Sequence, residues 1–401
     1  MKKTFLLLLI AFSTMAVHAQ QQITKTFVWE GQERQYIEYI PSTYVAGDAT
    51  PVMFCLHGLN STAASSFETL NPTALAEKSG WIFVFPQALD WTAQLPLGMG
   101  SYPCGPTWNA GITVSGTITV YGMPFNFDLP VNPDVNDAGF LMAALDSVET
   151  DYSVDADSVF FAGFSLGGFM SHRMAIEHGD IINGIASVSG IVGNNMSSLT
   201  PVANVNVLQI HGTADEVITY DAGTVSYQGY GPFVVGLGAE ASVDYWRNFN
   251  NCSPDAIIEQ YPDLVNDGLT FEMHTYLGGD NDTRVALLKV NNGAHEWYSG
   301  SGHDIDYLTE IYRFFTNTLD VTGIGEKEIG NSVAVFPNPA CDVINLPLSQ
   351  PTEVRLYDVT GSEVSHGVST GTVDVSDLSS GVYFVRILGD KPCSATFVVS
   401  R

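Results

Sequence analysis

The hexapeptide Gly163-Phe164-Ser165-Leu166-Gly167-Gly168 carries the strongest chemical signal in the chain. It follows the apolar run Val159-Phe160-Phe161 and opens a stretch of helical spacing through Phe169, Met170, Met174 and Ile176. A serine flanked by glycines between a strand and a helix describes a nucleophile elbow, a tight turn that exposes the hydroxyl and needs glycines where side chains would clash. The helix starting there aims its first N–H groups at the point where an attacked carbonyl develops negative charge. A serine hydroxyl is a weak nucleophile near neutral pH, so a base and an orienting acid are required downstream, in the order Ser, Asp, His.

Asp215 closes His211-Gly212-Thr213-Ala214-Asp215 after the apolar run 205–210, which places it at the C-terminal end of a strand, where open α/β sheets gather their chemistry. His295, in Asn292-Gly293-Ala294-His295-Glu296-Trp297, follows the run 285–290 and is the expected base. Its competitor, His303, stands beside Asp304 at the start of the last helix, where capping or exposure accounts for it. His57 and His211 sit in His-Gly pairs at strand ends and are expected to organise loops. The oxyanion is expected to meet the backbone N–H groups of Leu166 and of Leu59, the latter in Leu56-His57-Gly58-Leu59-Asn60. The set predicts acyl transfer: Ser165 attacks a carbonyl, His295 takes its proton and Asp215 holds the imidazole tautomer. No CxxC pair and no HExxH helix occurs, so no metal and no other cofactor is expected.

These residues need a rigid frame, and the apolar runs supply one. Runs at 52–56, 81–85, 158–162, 185–189, 205–210 and 285–290 are rich in β-branched and aromatic residues and read as strands. Between them, Phe140, Leu141, Ala144, Leu145 and Val148 share one helical face, as do Ile305, Leu308, Ile311, Tyr312 and Phe315 near residue 319. Alternation of this kind predicts an α/β unit, a mostly parallel sheet with helices on both faces.

At 45% hydrophobic and 14% charged, the chain has enough apolar surface for a core. A net charge of −28 leaves no basic stripe for nucleic acid or an anionic membrane. Lys2 and Lys3, the apolar run 5–12 and Val17-His18-Ala19 read as a signal peptide, residues 1–19, cleaved after Ala19 and too short to span a bilayer. Export to an oxidising space makes the five cysteines informative. Cys55 lies in an apolar run and reads as a buried thiol, leaving Cys104 with Cys252, and Cys341 with Cys393, as candidate disulfides.

The catalytic unit is expected over 20–320, followed by a short Gly-bearing linker at 321–332 and a second domain at 333–401. That last segment alternates apolar and polar positions (Val354, Leu356; Val382, Phe384) and predicts a small antiparallel β-sandwich without a catalytic cluster. Through Val335-Phe336-Pro337-Asn338-Pro339-Ala340, the runs 354–361 and 378–385, and the basic Arg401, it resembles the C-terminal sorting domain of the type IX secretion system of Bacteroidetes. The resemblance implies a partner in that machinery and a secreted or cell-surface protein. A carbohydrate-binding accessory domain is the alternative, with Tyr357 and Tyr383 as its aromatics.

Residues 28–318 resemble the family of feruloyl esterases, acetylxylan esterases and polyhydroxybutyrate depolymerases. The likeness rests on Leu56-His57-Gly58, on Trp108-Asn109-Ala110-Gly111, on the stretches 136–140, 158–168 and 210–215, and on Gly293-Ala294-His295-Glu296-Trp297. It implies an α/β-hydrolase fold, a triad of Ser165, Asp215 and His295, and an ester-bearing polysaccharide or polyester as substrate. Trp108 and Trp297 are expected to flank the acyl group, with ordinary core tryptophans as the alternative reading. The chain departs from the family in Gly-Ala-His-Glu-Trp-Tyr around His295 and in residues 112–130, which look inserted; specificity is expected in loops such as 98–133. A peptidase on the same fold and a non-catalytic polysaccharide binder are the rival readings.

Overall fold

Six apolar runs form the parallel centre of a ten-stranded sheet, in the order Ile82–Pro86, Thr50–Leu56, Val154–Phe164, Gly184–Val188, Asn206–Gly212 and Val285–Asn291. Most are buried on both faces, which is why they read as continuous apolar runs and not as alternation. The computed structural model describes residues 21–227, 230–299, 302–316, 335–348, 350–358, 363–388 and 393–400; the expected signal peptide and linker lie outside them. Gln32–Ile40 and Gln21–Trp29 extend one edge of the sheet antiparallel, and Thr270–Tyr276 and Ile257–Gln260 extend the other. Among the described residues, no helix is long and apolar enough to cross a membrane.

The chain lays Ile82–Pro86 on one side of Thr50–Leu56 and Val154–Phe164 on the other. This reversal opens a crevice beyond the C-terminal ends of Thr50–Leu56 and Val154–Phe164, the place where open α/β sheets bind ligands. Helix Leu166–His178 packs on Val154–Phe164, Gly184–Val188 and Thr50–Leu56. Helix Asp137–Asp151 is capped by the Asn136 side chain, which accepts from Gly139 N–H at 3.0 Å, and it buries the expected face of Phe140, Leu141, Ala144, Leu145 and Val148. In the last helix, Tyr307–Phe315, capped by Asp306, Phe314 is buried where Tyr312 and Phe315 were expected, and Ile305 precedes the helix.

Residues 98–133, expected as loops, are largely strand. Asp90–Gln94 pairs with Ser101–Pro106, and Thr113–Val120 with Met123–Pro130. The second hairpin turns on Tyr121 (φ 50°) and Gly122 (φ 78°), both left-handed, as a two-residue turn of the primed type requires. It joins Tyr230–Val234 and Thr224–Tyr227 in a separate four-stranded sheet. Here residues do alternate: Val114 and Ile118, with Phe127 and Leu129, line one cavity, whereas Thr113, Ser115 and Thr117, with Asn126 and Asp128, occupy the intervening positions.

The expected disulfides do not form. Cys104 and Cys252 are both free. Cys104, on Ser101–Pro106, lies beside the loop that follows Thr50–Leu56, because Gly105 packs on Asn60 and Asn60 N–H donates to Pro106 O at 2.9 Å. Cys252 packs against Gly279 and Thr283, just before Val285–Asn291, so the two thiols sit at opposite ends of a parallel sheet. Cys341 is also free, its Sγ donating to Ser400 O at 3.2 Å. Strand Cys393–Val399 separates that position from residue 393 by about 3.3 Å per residue, far beyond the reach of a disulfide.

Residues divide into two compact units, Met1–Thr316 and Asn317–Arg401. In the second, Glu363–Ser369, Thr352–Tyr357, Gly381–Leu388 and Cys393–Val399 form an antiparallel sheet, and Val343–Asn345 pairs with Thr372–Asp374. Val354 and Leu356 are buried there as expected. On Gly381–Leu388 the phase is the reverse of the expected one: Val382 and Phe384 are 41% and 43% exposed, and Tyr383, Val385 and Ile387 face the core. The charge on Arg386, which shares parity with Val382 and Phe384, gives the reason. Tyr383 stacks on Phe397 (5.8 Å) and donates its hydroxyl to Ser379 O, so it is a core residue and not a sugar platform.

Candidate active site

Ser165 occupies the sharp turn between Val154–Phe164 and Leu166–His178, at φ 56° and ψ −121°. A left-handed φ is strained for any residue with a Cβ and persists only where its surroundings enforce it. Backbone contacts enforce it here: a methyl group on Gly163 would collide with Gly167 O, and one on Gly167 with Leu56 O. Strand, turn and helix therefore touch without side chains between them. Ser165 N–H donates to Val188 O at 2.8 Å, fastening the turn to the neighbouring strand.

Two loops bring Asp215 and His295 together. His295 Nδ1–H donates to Asp215 Oδ2 at 2.8 Å, and Asp215 Oδ1 accepts the N–H groups of Val217 and Ile218, each at 2.9 Å. The loops interlock: Ala214 N–H donates to Gly293 O at 2.9 Å, Asn292 N–H to Thr213 Oγ1 at 2.9 Å, and a methyl group on Gly212 would strike Gly293 O. Burial alone would raise the Asp215 carboxyl, but His295, then the nearby His211 and the Ile218 N–H, overcome it and hold the pKa below the ordinary aspartate value. His295 also packs on Phe164, with ring centroids 5.0 Å apart, next to the Ser165 turn.

Leu166 is the first residue of its helix, so its N–H is among those a helix leaves without an intrahelical partner. The loop carrying Leu59 passes against Ser165, since a Cβ on Gly58 would stand 3.3 Å from Ser165 Cβ. Both leucines and both glycine-flanked turns border one cavity with Ser165 and His295. His303 is elsewhere, paired through Nδ1 with Asp267 Oδ2 at 2.7 Å and packed on Tyr298.

Trp108 does not reach that cavity. It is fully buried, and its Nε1–H donates to His57 O at 2.9 Å, so it holds the 57–59 loop from below instead of flanking an acyl group. Trp297 does line the cavity, and its indole N–H is buried without a hydrogen-bond partner among the described residues. The stretches 108–111 and 136–140 clamp each other: Asp137 accepts Asn109 N–H at 2.7 Å and pairs with buried Arg34 at 2.7 Å. Asp137 lies in the stretch 136–140 on which the resemblance rests, but Arg34 carries no sequence signal, because nothing local shows that a charged residue near a strand start meets a helix 103 residues away.

The other histidines near the site are buried and directed. His57 Nδ1–H donates to Gly58 O (2.7 Å) while Nε2 accepts Ala88 N–H (3.1 Å); burial pushes its pKa down to about 4 despite the Gly58 bond. His172 accepts Trp246 Nε1–H (3.0 Å) and donates to Gln209 Oε1 (3.1 Å), and burial lowers it to about 4. Gln209 Nε2 donates to Gly190 O (2.6 Å) and lies 3.3 Å from His211 Nδ1. His211 donates through Nε2 to Ile218 O (2.9 Å), 3.5 Å from Asp215 Oδ2, and burial lowers its pKa too. This chain of imidazoles and one amide props the Asp215 carboxylate from behind, and neither His172 nor Gln209 shows a sequence signal of its own.

The cavity measures about 1040 Å³ and is overwhelmingly apolar. Among the described residues, no group of three or more His, Cys, Asp or Glu is placed to hold a metal ion.

Residues 120–235 match the family described as Phospholipase/Carboxylesterase, and residues 334–399 match the Secretion system C-terminal sorting domain. Feruloyl esterase B of Piromyces equi is 24% identical over 266 residues, 65% of this chain and 42% of that protein. The bifunctional acetylxylan esterase/xylanase XynS20E of Neocallimastix patriciarum is 22% identical over 285 residues, 70% of this chain and 34% of that protein. This chain thus spans less than half the length of either relative. Among solved structures, an acetyl xylan esterase from Aspergillus awamori aligns with a TM-score of 0.46 at 14% identity, covering 74% of this chain and 99% of that one.

Proposed function

We propose that this chain, an α/β-hydrolase of the phospholipase/carboxylesterase kind joined to a secretion-system sorting domain, is an exported serine esterase. The observation that carries the reading is the 2.8 Å His295–Asp215 hydrogen bond beside a left-handed Ser165 in the wall of the same cavity. In this reading His295 Nε2 takes the Ser165 proton as the hydroxyl attacks an ester carbonyl, and Asp215 stabilises the imidazolium and keeps Nδ1 protonated. The Leu166 and Leu59 N–H groups receive the oxyanion. Collapse expels the alcohol, which takes its proton from His295, and water activated by the same imidazole releases the acid from Ser165.

The names of the relatives favour esters of ferulic acid or acetylated xylan as the general class of substrate. The C-terminal match favours passage through the type IX secretion machinery to the cell surface or beyond, with residues 1–19 as the leader. Hydrolysis of p-nitrophenyl acetate by the wild type and by Ser165→Ala tests the chemistry. Equal turnover by both proteins overturns it. Export of a chain ending at Ser332 tests the tail: undiminished delivery to the medium would remove its sorting role.

A further inference from the structure

We infer that Tyr298 is a positioning residue for His295: its hydroxyl clamps the peptide group just before His295 against the loop that carries Asp215. The inference rests on the esterase reading above. Tyr298 closes the stretch Gly-Ala-His-Glu-Trp-Tyr, where the chain departs from the family it resembles, so no likeness to a relative supplies the role.

The peptide group in question joins Gly293 to Ala294. Its C=O accepts the Ala214 N–H at 2.9 Å, and its N–H donates to the Tyr298 hydroxyl oxygen at 2.9 Å. In a trans peptide these two groups point opposite ways, so one rigid plane is gripped from both sides. The residue after Ala214 is Asp215, and the residue after Ala294 is His295. A tilt of that plane therefore passes directly to the 2.8 Å bond between His295 Nδ1 and Asp215 Oδ2. The grip of Ala214 alone leaves the plane free to rock about one hydrogen bond; the grip of Tyr298 stops it.

The anchor of this clamp lies in the core. Tyr298 is buried, and its ring packs against Phe271, Tyr307 and His303, with centroids 6.5, 5.4 and 4.6 Å away. Phe271 is a buried residue of strand Thr270–Tyr276, Tyr307 is the buried first residue of the last helix, and His303 is tied to Asp267. Tyr298 O also accepts the Tyr307 N–H at 3.1 Å. The position of the hydroxyl is thus set by strand and helix and not by the loop it holds. Ala294 is exposed, so without that oxygen its N–H would turn to water and carry the plane with it. Packing alone asks only for a phenylalanine here; the hydroxyl is what reaches the loop.

The test uses the full chain with p-nitrophenyl acetate and methyl ferulate. Tyr298→Phe keeps the ring and removes the oxygen, and it should lower kcat about tenfold for both esters while KM changes by less than about twofold. In an Asp215→Asn background, where the partner of His295 is already wrong, the same substitution should cost no more than about twofold. A hydroxyl that merely stabilised the fold would cost the same factor in both backgrounds, and that result overturns the inference. In the wild type, the Ala294 amide should exchange with deuterium at least about 100-fold more slowly than an open-chain amide, a reading that stands even where Tyr298→Phe fails to fold. Exchange at the open-chain rate, or wild-type kcat in Tyr298→Phe, overturns the inference and leaves ester hydrolysis standing. Wild-type protein that cleaves neither ester overturns the esterase reading, and the inference with it.

Discussion

The two halves of the site are held by different physics. Ser165, Asp215 and His295 sit at the ends of three parallel strands, and their turns meet backbone to backbone at Gly163, Gly167, Gly212 and Gly293. The cavity wall is a separate sheet with backbone ladders of its own, Tyr230–Val234 joining Thr113–Val120 through the Val234–Ser115 pairing, but what it presents to the cavity is packed side chains, with Phe127 edge-on to Phe233 at 5.1 Å. Backbone contacts tolerate almost no change, whereas packed side chains can be exchanged for others of similar volume. A fold that separates the two can vary what it binds without unseating what reacts.

The sharpest way to break that contrast is at the reacting atoms. Ser165→Ala should lower kcat by about 10⁶-fold, and Asp215→Asn, which offers His295 the wrong tautomer partner, by about 10⁴-fold, both read with p-nitrophenyl acetate. Acid should strike the strand-end half first. His57 and His172 are buried neutral with pKa values lowered to about 4 from the ordinary 6.5. The unfolded chain binds protons that the folded one refuses, so stability is complete above about pH 6.5 and falls as pH drops toward 4, by up to about 3 kcal/mol for each imidazole. Urea unfolding between pH 7 and 4 measures this; a midpoint that rises on acidification would contradict it. Gly212→Ala should prise the acid loop from the base loop and cost about 100-fold in kcat with little change in KM. Phe233→Ala, in the other half, should cost no more than about tenfold, seen in KM for methyl ferulate, because it removes packing and no chemistry. A larger loss from Phe233→Ala than from Gly212→Ala would mean that the wall, too, positions the reacting groups.

The same division explains what could be read from the amino acids. The strained turn at Ser165 requires glycine at 163 and 167, and buried parallel strands must be apolar throughout, so residues 158–168, 205–215 and 285–297 announce themselves locally. Whether Trp108 faces a ligand or the core depends on a hydrogen bond to a carbonyl 51 residues away, which no local pattern encodes. His172 and Gln209 have the polarity of surface residues and become interior only through each other. The hairpin at 113–130 did leave a trace, Thr and Ser alternating with Val and Ile, but its partner strands lie about a hundred residues on. In the C-terminal unit the two-residue period was plain; its phase was set by Arg386, which must stay wet.

The free thiol of Cys104 has a practical corollary. It stands in the cavity lining, and desolvation keeps its pKa above that of an ordinary cysteine, so at neutral pH it is protonated and slow toward water-borne alkylating agents. A greasy organomercurial that partitions out of water would find it where iodoacetamide does not. Such a reagent would titrate occupancy of the hollow directly, and a ligand that shields the sulfur would report its own affinity without any turnover.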